Sequence, residues 1–157
     1  MTEVVYAPLR KATLGRSLFL AGSIEMGTAE KWQDKIIDAK LWDFNIIYNP
    51  RRLDWNSAMS QDIDDVQFNN QVNWELDMIE KSTHVVFYFD PATKSPITLM
   101  ELGYVAGIKK PNQVYVCCPQ GFWRKGNVDI ICDRKGFQQY SDINKLIKSL
   151  EYARLNR

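Results

Sequence analysis

The strongest constraint on the fold is a repeated alternation of short, continuously apolar, β-rich runs with stretches of helical period. SLFLAG (17–22), FNIIYNP (44–50), HVVFYFD (84–90) and VYVCCP (114–119) read as strands. GTAEKWQDKIIDAKL (27–41) reads as a helix opened by Thr28, with Trp32, Ile36 and Ala39 on one stripe. Residues 69–82, 96–109 and 142–154 carry helical patterns as well. Strands apolar on both faces, separated by helices, belong to a mainly parallel sheet covered on both sides, so an α/β three-layer sandwich is expected. With 157 residues, 45% of them hydrophobic, and no repeat or linker, the chain is expected to form a single domain over 1–157.

Ligands of such sheets bind beyond the carboxyl ends of the strands. Three segments fit that rule: AGSIEMG after the first run, NPRRLDW after the second and DPATKSPITLMELG after the third. Twenty Lys+Arg against nineteen Asp+Glu leave a formal charge of +1, which offers no global field for nucleic acid or an acidic membrane. A small-molecule ligand fits better. The longest apolar run, about six residues, is far short of a membrane span, and MTEVVYAPLRK lacks a signal-peptide core, so a cytoplasmic protein is expected. Cys117, Cys118 and Cys132 have no zinc spacing and read as reduced strand residues. Neither GxxxxGK[ST] nor GxGxxG occurs, so no motif supports ATP-dependent or dinucleotide chemistry, and His84, at the start of an apolar run, reads as a strand-end residue.

The unusual residue is Glu101, set among Ile97, Met100, Leu102 and Tyr104 to Ala106. An ionised carboxylate in such surroundings costs several kcal/mol unless it is paired, so the position calls either for chemistry or for stabilisation at a helix end. On the preceding helix Val72, Leu76 and Ile79 form a stripe, with Glu75 beside it and Asp77 pointing away. Two carboxylates from consecutive helices are able to divide the roles of nucleophile and general acid. Alternatively, Glu75 is a core-edge residue paired with Arg51 or Arg52. Those two arginines offer planar donors to a phosphate or a base edge, and Trp55 offers a stacking surface; a solvated arginine pair with Trp55 as a core anchor is the competing reading.

Ser95 followed six positions later by Glu101 within MELGY resembles the nucleophile segment of the nucleoside 2-deoxyribosyltransferase family and its nucleotide N-glycosidase relatives. AGSI (21–24), NPRR (49–52) and WEL (74–76) extend the resemblance over roughly residues 17–120. It implies a flavodoxin-like or Rossmann-like sandwich in which Glu101 attacks the anomeric carbon of a 2-deoxyribosyl group. It also implies that Ser95 lies near the sugar or its phosphate, and that Gly22, Ser23 and Ile24 lie against the substrate. The family's acid falls at Glu75 or Asp77, since a strict count lands on Leu76. Phe19 stands where the classical transferases have a tyrosine that orients the nucleophile. Asn127, in WRKGNVDII (123–131), is the residue that a neighbouring subunit would contribute, within a homodimer or larger even assembly. The implied substrate is a nucleoside or nucleotide, with no cofactor and no metal, and the outcome is either transfer or hydrolysis. A module that binds a nucleotide in the same crevice without turnover is the reading from another class.

Overall fold

A computed structural model describes residues 1–12, 14–24, 29–52 and 60–155. The elements are β1 (Glu3–Tyr6), β2 (Ser17–Gly22), α1 (Trp32–Asp38), β3 (Ile46–Asn49), α2 (Val66–Lys81), β4 (His84–Tyr88), α3 (Pro96–Ile108), β5 (Val114–Cys117), α4 (Lys125–Lys135), β6 (Gln138–Tyr140) and α5 (Ile143–Leu155). The six strands form one all-parallel sheet in the order β1-β3-β2-β4-β5-β6. With β1 set aside, this is the flavodoxin-like order, and its winding reverses about β2. The crevice at that reversal lies beyond the carboxyl ends of β2 and β4, which are paired from Leu18↔His84 to Gly22↔Tyr88.

Alternate residues of the central strands feed two cores. Phe19, Ala21, Val85, Phe87, Val114 and Val116 pack with Trp74, Met78, Leu102, Val105 and Val128 of α2, α3 and α4. Leu18, Leu20, Val86, Tyr88, Tyr115 and Cys117 pack with Trp32, Ile36, Leu146 and Leu150 of α1 and α5. Burial on both faces is why these strands read as continuous apolar runs, and the expected three-layer α/β sandwich is what forms.

Several boundaries differ from the sequence expectation. The first helix is only Trp32–Asp38, and Thr28 lies outside the described residues. The second strand is confined to Ile46–Asn49, because Phe44 closes a turn onto Leu41 O at 3.0 Å. Helix α2 begins three residues before the expected start, capped by Asp65, whose Oδ1 accepts from Phe68 N at 2.9 Å. The segment after β5 is helix α4, held by buried Val128 and Cys132 and closed by Gly136 at φ 71°. Cys132 is therefore a helix residue. All three cysteines are free and buried, and burial pushes their thiols up to about 12, 11 and 12 for Cys117, Cys118 and Cys132. No helix among the described residues is long and apolar enough to cross a membrane.

Candidate active site

Helix α3 carries Glu101 on its buried face. It starts abruptly: Ser95 is the N-cap in the left-handed region at φ 45°, ψ 53°, and Pro96 follows at the first helical position, where a missing N–H costs nothing. One turn further on, Glu101 lies only 7% exposed beside buried Thr98, Leu102 and Val105. Burial holds its carboxyl well above the usual carboxylate range, and the nearby charge of Glu75 pushes it in the same direction.

Glu75 reaches the same place from α2. The buried face of that helix is Gln71, Trp74, Met78 and Ile79, whereas Val72 and Leu76 are only partly covered. The expected stripe is thus rotated toward Glu75. Burial raises the Glu75 carboxyl to about 7, opposed by the hydrogen bond from Gln71. Two desolvated carboxylates that feel each other's charge cannot both ionise cheaply, so the pair favours having one carboxyl ionised and the other protonated. Asp77 has a different environment: it pairs with Arg10 at 2.5 Å, with both side chains more than 40% exposed. Of the two candidate acids, it is Glu75 whose charge bears on Glu101.

The arginines after β3 straddle the sheet edge. Asn49 Oδ1 accepts from Arg51 N at 3.0 Å, fixing the turn. Arg51 Nη1 approaches Gln33 Oε1 of α1 at 3.4 Å, while Arg52 Nη1 approaches Gln71 Oε1 of α2 at 3.5 Å. Gln71 Nε2 in turn donates to Glu75 Oε1 at 2.9 Å. Arg52 therefore meets Glu75 through the Gln71 amide, so the pairing expected as an alternative is indirect for Arg52, while Arg51 turns to Gln33 instead. Trp55 lies outside the described residues.

Beyond β2 and β4 three buried hydroxyls cluster. Ser23 Oγ is 2.5 Å from Ser95 Oγ and 3.0 Å from Thr93 Oγ1, and the latter two are 2.7 Å apart. Asp90 N donates to Ser23 Oγ at 3.0 Å, and Ser23 N donates to Tyr88 O at 3.0 Å. Ser95 thus spends its hydroxyl joining two loops rather than capping α3. Ile24 is half-buried next to this cluster.

At Gly22 a Cβ would fall 2.5 Å from Trp32 Cζ2 and 2.6 Å from Tyr88 O, so protein packing by itself already excludes a side chain there. Trp32 Nε1 also donates to Ser23 O at 3.1 Å, tying α1 to the same loop.

Phe19 is fully buried and tilted against Trp74, with ring centroids 6.2 Å apart. Asn127 is exposed in the first turn of α4. His84 sits at the opposite, amino end of β4; its Nδ1 is 2.8 Å from Thr83 Oγ1, Nε2 is 3.3 Å from Arg16 Nη2, and burial pushes it down to about 4. Among the described residues no group of three or more His, Cys, Asp or Glu is placed to hold a metal ion. Cavities of about 260 Å³ beside Phe44 and Leu150, and of about 410 Å³ beside Lys125 and Tyr140, contain neither acid of the pair. Gln71 and Thr93 are the site residues that sequence reading passed over; for Gln71 the available signal was its spacing of one helical turn from Glu75.

Comparison with known families gives a match over residues 15–122, about two-thirds of the chain, to the family described as nucleoside 2-deoxyribosyltransferase like. No curated protein matches the chain.

Proposed function

The chain belongs to the nucleoside 2-deoxyribosyltransferase-like family, and from that premise we propose that it cleaves or exchanges the N-glycosidic bond of a (deoxy)nucleoside or nucleotide. The observation that carries this reading is the meeting of two desolvated carboxylates, Glu101 on α3 and Glu75 on α2, with the charge of Glu75 bearing on Glu101. In the first step a Glu101 oxygen forms a bond to the anomeric carbon as the bond from that carbon to the base nitrogen breaks. The departing base takes a proton from Glu75. A second base or water then attacks the same carbon, displacing the Glu101 carboxylate and returning a proton to Glu75. This is the two-step displacement of retaining glycosidases, in which one acid is nucleophile and the other is acid and then base.

Ser23, Ile24 and Ser95 border the sugar in this reading, through loops that their hydroxyl cluster holds together. Arg51 and Arg52 serve the base or a phosphate. The three free, buried cysteines fit a reducing compartment such as the cytoplasm. The partner is a second copy of the chain. Helix α3 is apolar around its circumference, and its outer residues Ile97, Met100, Tyr104 and Ile108 are 56, 57, 40 and 47% exposed. Gly103 and Gly107 on the same helix have open space where a side chain would be, which leaves room for close helix approach. A homodimer across this face would cover it and bring Asn127 of one subunit toward the other's crevice.

The test is incubation with a panel of deoxynucleosides and deoxynucleotides, with and without a second free base, followed by chromatography of the bases. Base exchange identifies a transferase and free base alone a hydrolase, with Glu101→Gln as control. One observation favours a second reading, capture of a nucleotide without turnover: Phe19 has no hydroxyl with which to orient Glu101. Saturable nucleotide binding with no base released from any substrate would establish that reading instead.

A further inference from the structure

Gln71 has no role in the displacement just described, yet it is only 3% exposed and uses its whole amide. Nε2 donates to Glu75 Oε1 at 2.9 Å and to Pro50 O at 3.2 Å, and Oε1 faces Arg52 Nη1 at 3.5 Å. The two N–H groups are thereby divided between a carboxylate and a backbone carbonyl, and the guanidinium fixes which end of the amide is which. A donor directed at a carboxylate favours its ionised form. Among the described residues no side chain makes the corresponding contact to Glu101.

Charged groups on the surrounding elements are engaged elsewhere. On α2, Asp77 pairs with Arg10, and Glu80 accepts from Tyr104 Oη of α3. Lys109, at the end of α3, donates to the carbonyls of Glu80 and Ser82. Asp90, from the β4–α3 loop, accepts from Glu30 N and Ala92 N, and on α4 Lys125 pairs with Asp129.

The geometry points to Gln71 as a positioning residue that draws the charge of the resting pair onto Glu75 and leaves the proton on Glu101. The consequence for turnover rests on the reading of these acids as nucleophile and general acid. Attack needs the reverse arrangement, with Glu101 ionised and Glu75 protonated. Productive binding therefore includes one proton transfer, in which the O–H bond of Glu101 breaks as that of Glu75 forms. Gln71 keeps the nucleophile masked until a ligand shifts that balance.

The test is a carbon NMR titration of glutamate carboxyls in the ligand-free, isotope-labelled protein, with the two resonances assigned through their loss in Glu75→Gln and Glu101→Gln. In the wild type Glu75 should titrate at lower pH than Glu101. Gln71→Met should raise the Glu75 midpoint by about one pH unit, the effect of one hydrogen bond to a charged group. If that variant does not fold, Gln71→Asn, which withdraws the donor by one methylene, should shift the midpoint in the same direction. An unmoved Glu75 midpoint, or Glu101 titrating first in the wild type, overturns the proposal. The titration needs no substrate, so its failure leaves the glycosidic reading standing; conversely, a Glu101→Gln protein that still releases base sinks that reading without touching this one.

Discussion

Replacing Glu75 with glutamine should make the protein more stable and less active, and the stability gain should depend on pH. In the folded chain burial raises the Glu75 carboxyl from 4.5 to about 7. A raised carboxyl is neutral in both states at low pH, so it imposes no cost there. As pH climbs past the unfolded value, the folded state resists giving up its proton and stability falls, levelling off above the folded value. Across that window of roughly 2.5 units, at 1.36 kcal/mol per unit, the cost slightly exceeds ~3 kcal/mol. Glutamine has nearly the same shape, stays neutral throughout, and offers Oε1 to the same Gln71 donor. Glu75→Gln should therefore match the wild type at pH 4.5 and exceed it by ~2–3 kcal/mol at pH 8, or about 4–12 °C in melting temperature for a chain of this size. Urea or thermal unfolding at the two pH values reads this directly. Asp77→Asn is the control: its exposed pair with Arg10 is worth well under 1 kcal/mol, and both stability and activity should barely change. The reasoning is refuted if Glu75→Gln is no more stable than wild type at pH 8, or if Asp77→Asn shows the pH-dependent gain instead.

Gly22→Ala should destabilise by roughly 1–3 kcal/mol through collision with the Trp32 ring and the Tyr88 carbonyl, measurable by thermal melting; a change within 0.5 kcal/mol would show that the loop accommodates a methyl group. Met100→Lys places a charge on the outer face of α3 and should shift sedimentation from dimer to monomer while leaving the melting temperature of the dilute monomer nearly unchanged. An unaltered dimer would move the interface elsewhere.

The sheet was legible because its four central strands are apolar on both faces, a pattern that a half-exposed strand does not produce. Edge position hid β1 and β6, whose four and three residues are partly solvent-facing. Helix α4 was hidden by polarity: only Val128 and Cys132 are fully buried, with Ile131 packed partly against the core, within KGNVDIICDRK. At the site, Glu101 stood out because its neighbours are apolar, and helix periodicity put Glu75 ahead of Asp77. The rest needed three dimensions. The face of α2 is set by buried Gln71 and Trp74, and a buried glutamine cannot be told from a solvated one by periodicity. The meeting of Ser23, Thr93 and Ser95 spans two loops some 70 positions apart, and Gly22 is explained by a tryptophan ten residues away.

The most direct test of the central claim is to mix the protein with a substrate that releases base, quench with acid, and measure the intact mass and then the mass of the peptide containing residues 96–108. The account predicts a deoxyribosyl or deoxyribosyl-phosphate increment esterified to Glu101 in the wild type, absent from Glu101→Gln, which should retain substrate binding. Base release with no adduct at Glu101, or with undiminished turnover in Glu101→Gln, would contradict it.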